Sequence, residues 1–231
     1  MIEVETMEGR IIAGALRLAA EKPWRDVSLG DIAGAAGVGL MDVRRAFATK
    51  GDIVAGFIRR IDEVVLTAIP ARAEGQSPRD ALFEVMMARF DALNPHKAAV
   101  RSIAEATFGD AEVARAMLAS QRWMLEAAGI GSQGAQGAMR VAGLVSLYGW
   151  VLRTWLDDDD PGMAKTMAAL DRRLRSGEQA IGAMDQAFDG ARRVRDMLAG
   201  LASRPRRRSS EAGSEGESGP GEPPASTATT H

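Results

Sequence analysis

Cysteine is absent from the 231 residues, which excludes disulfides, thiol catalysis and cysteine-ligated zinc. Histidine occurs only as His96 and His231, too few for a histidine-built metal or catalytic centre, so no metal and no cofactor are expected. Aromatic residues make up 5%, and the apolar content lies mostly in Ala, Leu, Val and Met, which favours helix over sheet. An excess of one charge is also missing: 29 Lys and Arg face 31 Asp and Glu, a net charge of −2, so no global basic field announces nucleic acid. The longest apolar run, residues 141–156, contains Arg153 and falls short of the ~20 residues that span a bilayer. Residues 1–8 carry three acids and no base, the opposite of a secretory leader. These features point to a soluble cytoplasmic protein. No nucleophile–base pair, metal-ligand spacing or phosphate loop appears, so an enzyme is not expected.

What is present reads as helix. Hydrophobic residues at 46% and charged residues at 26% are globular proportions. Ile11, Ile12, Ala15, Leu16, Leu18 and Ala19 form a helical stripe that Pro23 stops, with Trp24 and Val27 as an apolar plug behind it. Ser28 and Asp31 resemble a capping box, and a short helix through Ile32, Ala33 and Ala36 follows. Gly37, Val38 and Gly39 break it before a second short helix from Leu40 to Phe47. Thr49 caps the next helix, which runs on apolar positions from Ile53 to Val65.

The polar stretch 70–77 marks a boundary between two halves. Beyond it, Leu82 to Leu93 form a helix, and Asn94-Pro95 is expected to start another, with Asn as N-cap. Gly109 ends that one and Asp110 opens the next. Residues 129–137 read as a Gly/Gln loop before an apolar helix from Met139 to Leu156. The acid run 157–160 and Pro161 close it as a solvated turn, and a last pattern runs from Met163 to Phe188. An amphipathic continuation to Leu201 is expected to dock on the protein's own body, and residues 203–231 form a disordered tail. The fold class is therefore all-α: a helix-turn-helix domain over 1–50, a helical effector and dimerisation domain over 51–202, and the tail.

Two short helices joined by a glycine turn behind a longer helix make a helix-turn-helix. Its second helix offers Gly39, Leu40, Met41, Arg44 and Arg45 to a major groove. Ser28, Thr49 and Lys50 stand at helix starts, where phosphates are favoured. Asp42 is expected to point a carboxylate at the same groove and oppose binding. Residues 28–60 sum to +2, with Arg44, Arg45, Lys50, Arg59 and Arg60 against Asp31, Asp42 and Asp52.

The segments "IIAGALRLAAEKPW", "VSLGDIAGAAGV" and "RRAFATKGDIV" resemble the DNA-binding domain of TetR-type transcriptional regulators. That resemblance implies a homodimer paired through the last long helices, a palindromic double-stranded DNA operator, and a small apolar effector bound in the C-terminal half. Phe83, Met86, Met87, Phe90, Trp123, Leu144 and Tyr148 are the candidate effector-lining residues. Gly143, Ser146 and Gly149 would let the apolar helix approach a partner closely. The segments "RFDALNPHKAAVRSI" and "GAMRVAGLVSLYGWVLRTWLDDDDPGMAKTMAALDRRL" resemble the TetR-fold lipid-binding proteins of ubiquinone biosynthesis. That second resemblance implies an alternative role, holding an isoprenoid or phospholipid, with contact to a membrane possible but not favoured.

Overall fold

The computed structural model describes residues 6–177 except Ala71 and Phe108. The expected continuation through Phe188 to Leu201, and the tail from Ser203, lie outside the described residues. The described residues belong to one compact unit. All its described elements are helical: α1 (Met7–Glu21), α2 (Leu29–Ala36), α3 (Leu40–Ala46), α4 (Lys50–Ala68), α5 (Pro78–Leu93), α6 (Lys97–Ala106), α7 (Ala111–Ala127) and α8 (Gly134–Leu156). A ninth helix, α9, covers 164–177. None of the described helices is long and apolar enough to cross a membrane.

One device starts most of the helices in the head. A small residue is followed three positions later by aspartate: Ser28 and Asp31, Gly39 and Asp42, Thr49 and Asp52, and again Ser77 and Asp80 at α5. The Ser and Thr side chains accept from the aspartate backbone N–H at 3.0 Å in each case. In α2 the box is reciprocal, since the Asp31 carboxylate accepts from Ser28 N–H at 3.0 Å. In α3 glycine has no side chain to give, and only the return bond forms: Asp42 Oδ2 accepts from Gly39 N–H at 3.1 Å. Each cap satisfies amide groups that a helix start leaves without partners.

The turn between α2 and α3 passes through Gly37 at φ +64°, the left-handed region that glycine enters without steric cost. Ile32, Ala33, Val43 and Phe47 then pack inward against Ile11, Ile12, Ala15 and Leu16 of α1. Trp24 and Val27 are buried as the sequence leads one to expect.

The second half departs from expectation at three places. Asn94 does not cap a helix; with Pro95 and His96 it forms a 3-10 turn, and α6 starts at Lys97. Asn94 has φ −56° and ψ −40°, already helical, so its side chain does not take the extended N-cap position. Helix α8 starts at Gly134, inside the stretch read as loop. The acid run is only partly a solvated turn. Asp158 is buried and accepts from Thr166 N–H and Oγ1, both at 2.8 Å, while Asp160 accepts from Gly162 and Ala164 N–H. These acids cap α9 for the same reason that Asp31 caps α2.

Candidate nucleic-acid interface and helical body

The outward face of α3 is built by exclusion. Val43 is fully buried and Phe47 nearly so, which pins the helix to the head. At 100° per residue, Leu40, Met41, Arg44 and Arg45 then fall on one arc pointing away from it. Leu40 is 58% and Met41 62% exposed. Arg44 is exposed and makes no hydrogen bond or ion pair among the described residues, and Arg45 stands only a loose 3.7 Å from Asp42.

Asp42 does not behave as expected. Its carboxylate turns back to the start of α3 and takes the Gly39 N–H, so it serves the helix rather than confronting a groove. The other two acids of residues 28–60 that begin helices are also engaged. Asp31 binds Lys22 Nζ at 2.8 Å as well as Ser28 N–H, and Asp52 accepts from Ala48 N–H at 3.0 Å. The Lys22 ammonium, then the Ser28 bonds, hold the Asp31 carboxyl down at about 2. With Asp31, Asp42 and Asp52 engaged at helix starts, Arg44 and Arg45 are the exposed charges of α3 that point outward.

The remaining expected DNA contacts divide. Ser28 is exposed at the α2 start and Gly39 at the α3 start. Thr49 is exposed, accepts from Asp52 N–H and donates to the Glu112 carboxylate of α7. Lys50 is turned inward: its Nζ donates to Trp24 O and Val27 O, both at 2.6 Å, and sits 4.7 Å above the Trp24 ring. Burial lowers its pKa. Lys50 thus ties the plug before α2 to the start of α4, and only one of its three N–H groups is left for a phosphate.

Besides the packing of α1 on α4 and α6, two polar contacts fasten the head to the body. Ser102 of α6 accepts from Trp24 N–H at 2.8 Å and donates to Lys22 O at 3.3 Å. At the other point the start of α7 presses on the start of α4. There Thr49 donates to the Glu112 carboxylate, and a Cβ on Gly51 would stand 2.5 Å from Glu112 Oε2 and 3.1 Å from the Asp110 carboxylate, so a larger residue at 51 would push those two side chains aside.

Inside the body the expected lining residues separate. Met86, Phe90, Leu144 and Tyr148 are buried and Phe83 and Met87 half-buried. Phe90 stacks on Tyr148, with ring centroids 5.6 Å apart. Trp123 is 57% exposed, on the side of α7 away from the buried Ser120, Gln121, Met124 and Leu125. Sequence reasoning missed the polar members. Arg89 of α5 is 1% exposed and donates to Asp62 of α4, which also accepts from Ser120 Oγ of α7 at 2.7 Å. The Arg89 guanidinium lies 5.4 Å from the Tyr148 ring. Arg89 Nε, Gln121 Oε1 and Trp155 Nε1 are buried without a hydrogen-bond partner. The available signal was a charge at a stripe position: Arg89 falls between Met86 and Phe90, and Asp62 follows Ile61, in patterns otherwise apolar.

On the opposite side, α8 exposes Met139, Gly143, Ser146, Gly149 and Trp150. Arg173 of α9 covers one face of the Trp150 ring at 4.8 Å.

No family model and no curated protein matches the chain. Solved structures do. A TetR transcriptional regulator from Nitrosomonas europaea superposes with a TM-score of 0.59 at 21% identity, over 74% of this chain and 98% of that one. One from Rhodococcus sp. RHA1 gives 0.57 at 21% identity, over 73% and 93%. A TetR-family regulator from Streptomyces coelicolor gives 0.52 at 17% identity, over 86% and 98%. The helix order, the capped turn and these superpositions together give the chain the fold of the TetR-family transcriptional regulators.

Proposed function

We propose that the protein is a TetR-like transcriptional regulator: a cytoplasmic homodimer that acts by binding an operator rather than by catalysis. One observation carries this. Leu40, Met41, Arg44 and Arg45 of α3 face away from the head and are exposed, while Asp31, Asp42 and Asp52, the three acids of residues 28–60 nearest them in the chain, each accept a backbone N–H at a helix start. Arg44 and Arg45 then read or bind the duplex, and Ser28, Gly39 and Thr49 lie where a phosphate would approach. Lys50 acts mainly by positioning α4. Residues 1–50 serve as the reading head, 51–202 as the effector and dimerisation body, and 203–231 as the tail.

The small exposed residues of α8 support pairing of two copies along that helix, which sets the separation of the two α3 helices. A small apolar effector enters the body among Met86, Phe90, Leu144 and Tyr148. It changes DNA affinity by favouring one spacing of the heads over another. The bonds of Ser102 with Trp24 and Lys22, and of Glu112 with Thr49, are the route from body to head.

The test is selection of bound genomic fragments by the full chain at stated low salt, since phosphate contacts make affinity salt-dependent. The expected result is a palindromic fragment whose gel shift disappears in the Arg44→Ala, Arg45→Ala double variant while the dimer persists. Unchanged shifts in that variant refute the assignment of α3. If no duplex is selected and native mass spectrometry finds a co-purified isoprenoid or phospholipid, the lipid-carrying alternative replaces it.

A further inference from the structure

Two consecutive large apolar residues, Leu40 and Met41, open a seven-residue helix at 58% and 62% exposure. A single exposed apolar side chain is ordinary. Two together at the tip of the helix meant to meet a charged polymer are not, because water could be excluded there only by something apolar on the partner. Next to them stand the two exposed guanidinium groups of Arg44 and Arg45. Within the major groove, base edges present hydrogen-bonding groups throughout, with one apolar exception, the C5-methyl of thymine. Guanine offers the paired acceptors that suit a guanidinium.

We infer that the Leu40–Met41 pair reads thymine methyl groups and that Arg44 reads a guanine beside them, so the operator half-site carries a thymine and a guanine within about two base pairs of each other. The spacing follows from geometry: Leu40 and Arg44 are one turn apart on α3, a rise of about 6 Å, against about 3.4 Å per base pair. The flanking positive charge and the withdrawal of Asp42 into its cap commit this surface to a duplex rather than to a second protein. The inference rests on the operator-binding function proposed above.

The experiment uses the full chain and the tightest duplex from selection at low salt. Each half-site thymine is replaced in turn by deoxyuridine, which removes only the methyl, and each guanine by 7-deazaguanine, which removes one acceptor. Loss of one buried methyl corresponds to a weakening of about fourfold, and loss of a whole bidentate guanine contact to about 5- to 150-fold, which bounds from above the effect of 7-deazaguanine, since the O6 acceptor remains. The expected result is methyl dependence at one or two thymines that vanishes in Leu40→Ala or Met41→Ala, with guanine dependence that vanishes only in Arg44→Ala. Circular dichroism checks that these surface variants stay folded. The inference is overturned if deoxyuridine is harmless throughout the half-site. It is also overturned if Leu40→Ala weakens thymine and uracil duplexes equally, which would make Leu40 a positioning residue. Failure to select any duplex overturns the proposed function itself, and the two failures are thereby distinct.

Discussion

The buried pair of Asp62 and Arg89 joins the helix leaving the head to the body, and its removal has a calculable cost. Asp62 of α4 is 6% exposed, Arg89 of α5 1%, and Ser120 of α7 gives Asp62 a second bond. Asp62→Ala leaves a buried guanidinium without its carboxylate, beside the Tyr148 ring. Breaking a buried pair in this way costs about 3–5 kcal/mol. For a chain of this size each kcal/mol moves Tm by about 2–4 °C, so a fall of about 6–20 °C is expected. The double change Asp62→Leu, Arg89→Met behaves differently. It removes both desolvation penalties and replaces them with apolar volume, which is typically neutral or stabilising by about 1–4 kcal/mol. Ser120 loses its acceptor but can turn to the carbonyl four residues back. Thermal and urea unfolding at one fixed protein concentration measure all three proteins, since dimerisation makes apparent stability depend on concentration. A single variant that loses less than about 1 kcal/mol refutes the burial argument, because that is the range of an exposed ion pair. A double variant no better than Asp62→Ala refutes the view that the charges are costly in themselves.

Three further outcomes are expected. Lys22→Met raises the Asp31 pKa from about 2 towards the ordinary 3.8, read by NMR titration of the Asp31 carboxyl, because the ammonium is the largest cause of the depression; an unmoved midpoint would assign it to the Ser28 bonds instead. Burial lowers the His96 pKa, so the folded protein favours the neutral ring, and the stability this provides is present above pH 6.5 and lost as pH falls below it. Urea midpoints between pH 7.5 and 5 should therefore decline in the wild type and less in His96→Gln; equal slopes would remove His96 from the account. Gly143→Ala with Gly149→Ala adds Cβ atoms that meet nothing within 4 Å, so the separated chain gains about 1 kcal/mol of helix stability per site. Sedimentation should show a weaker dimer all the same, and an unchanged dissociation constant would move the pairing surface off this face of α8.

Local chemistry was legible in the residues and distant chemistry was not. The capping box at Ser28 and the side-chain cap at Thr49 lie within four positions of chain, so spacing alone predicts them, and the buried stripes of α1 and α4 follow from period. The inward turn of Lys50 was not legible, because its position at a helix start suggests phosphate, whereas the partners its ammonium takes in the fold are carbonyls 26 and 23 residues earlier. Trp123 and Met124 are adjacent and both apolar; which one faces inward depends on the packing of α7 against α4, and no periodicity decides it. The pairing of Arg89 with Asp62, 27 residues apart, likewise exists only once α4 and α5 are packed. Pro95 signalled a helix start correctly in kind but two residues early, since the chain passes through a 3-10 turn before α6.

Asp42 shows how one bond reverses a functional expectation. As a bare charge on a groove-facing helix it would repel phosphates, and removing it would tighten DNA binding. As the carboxylate that holds Gly39 N–H at 3.1 Å, it supplies the side-chain cap that α3 otherwise lacks, because Gly39 can give none. A seven-residue helix is too short to persist on propensity, so its start depends on that cap and on Val43. Asp42→Ala should therefore cost about 0.5–2 kcal/mol of local stability and weaken binding to the selected duplex, with Leu40 and Met41 losing their fixed position first. Asp42→Asn separates the two effects: an amide oxygen still accepts from Gly39 N–H, but the charge is gone. If repulsion dominates, both variants bind more tightly than wild type. If the cap dominates, Asp42→Asn binds at least as well as wild type and Asp42→Ala binds worse. The sign of the alanine variant in a fluorescence-anisotropy titration at fixed salt thus decides between charge and cap.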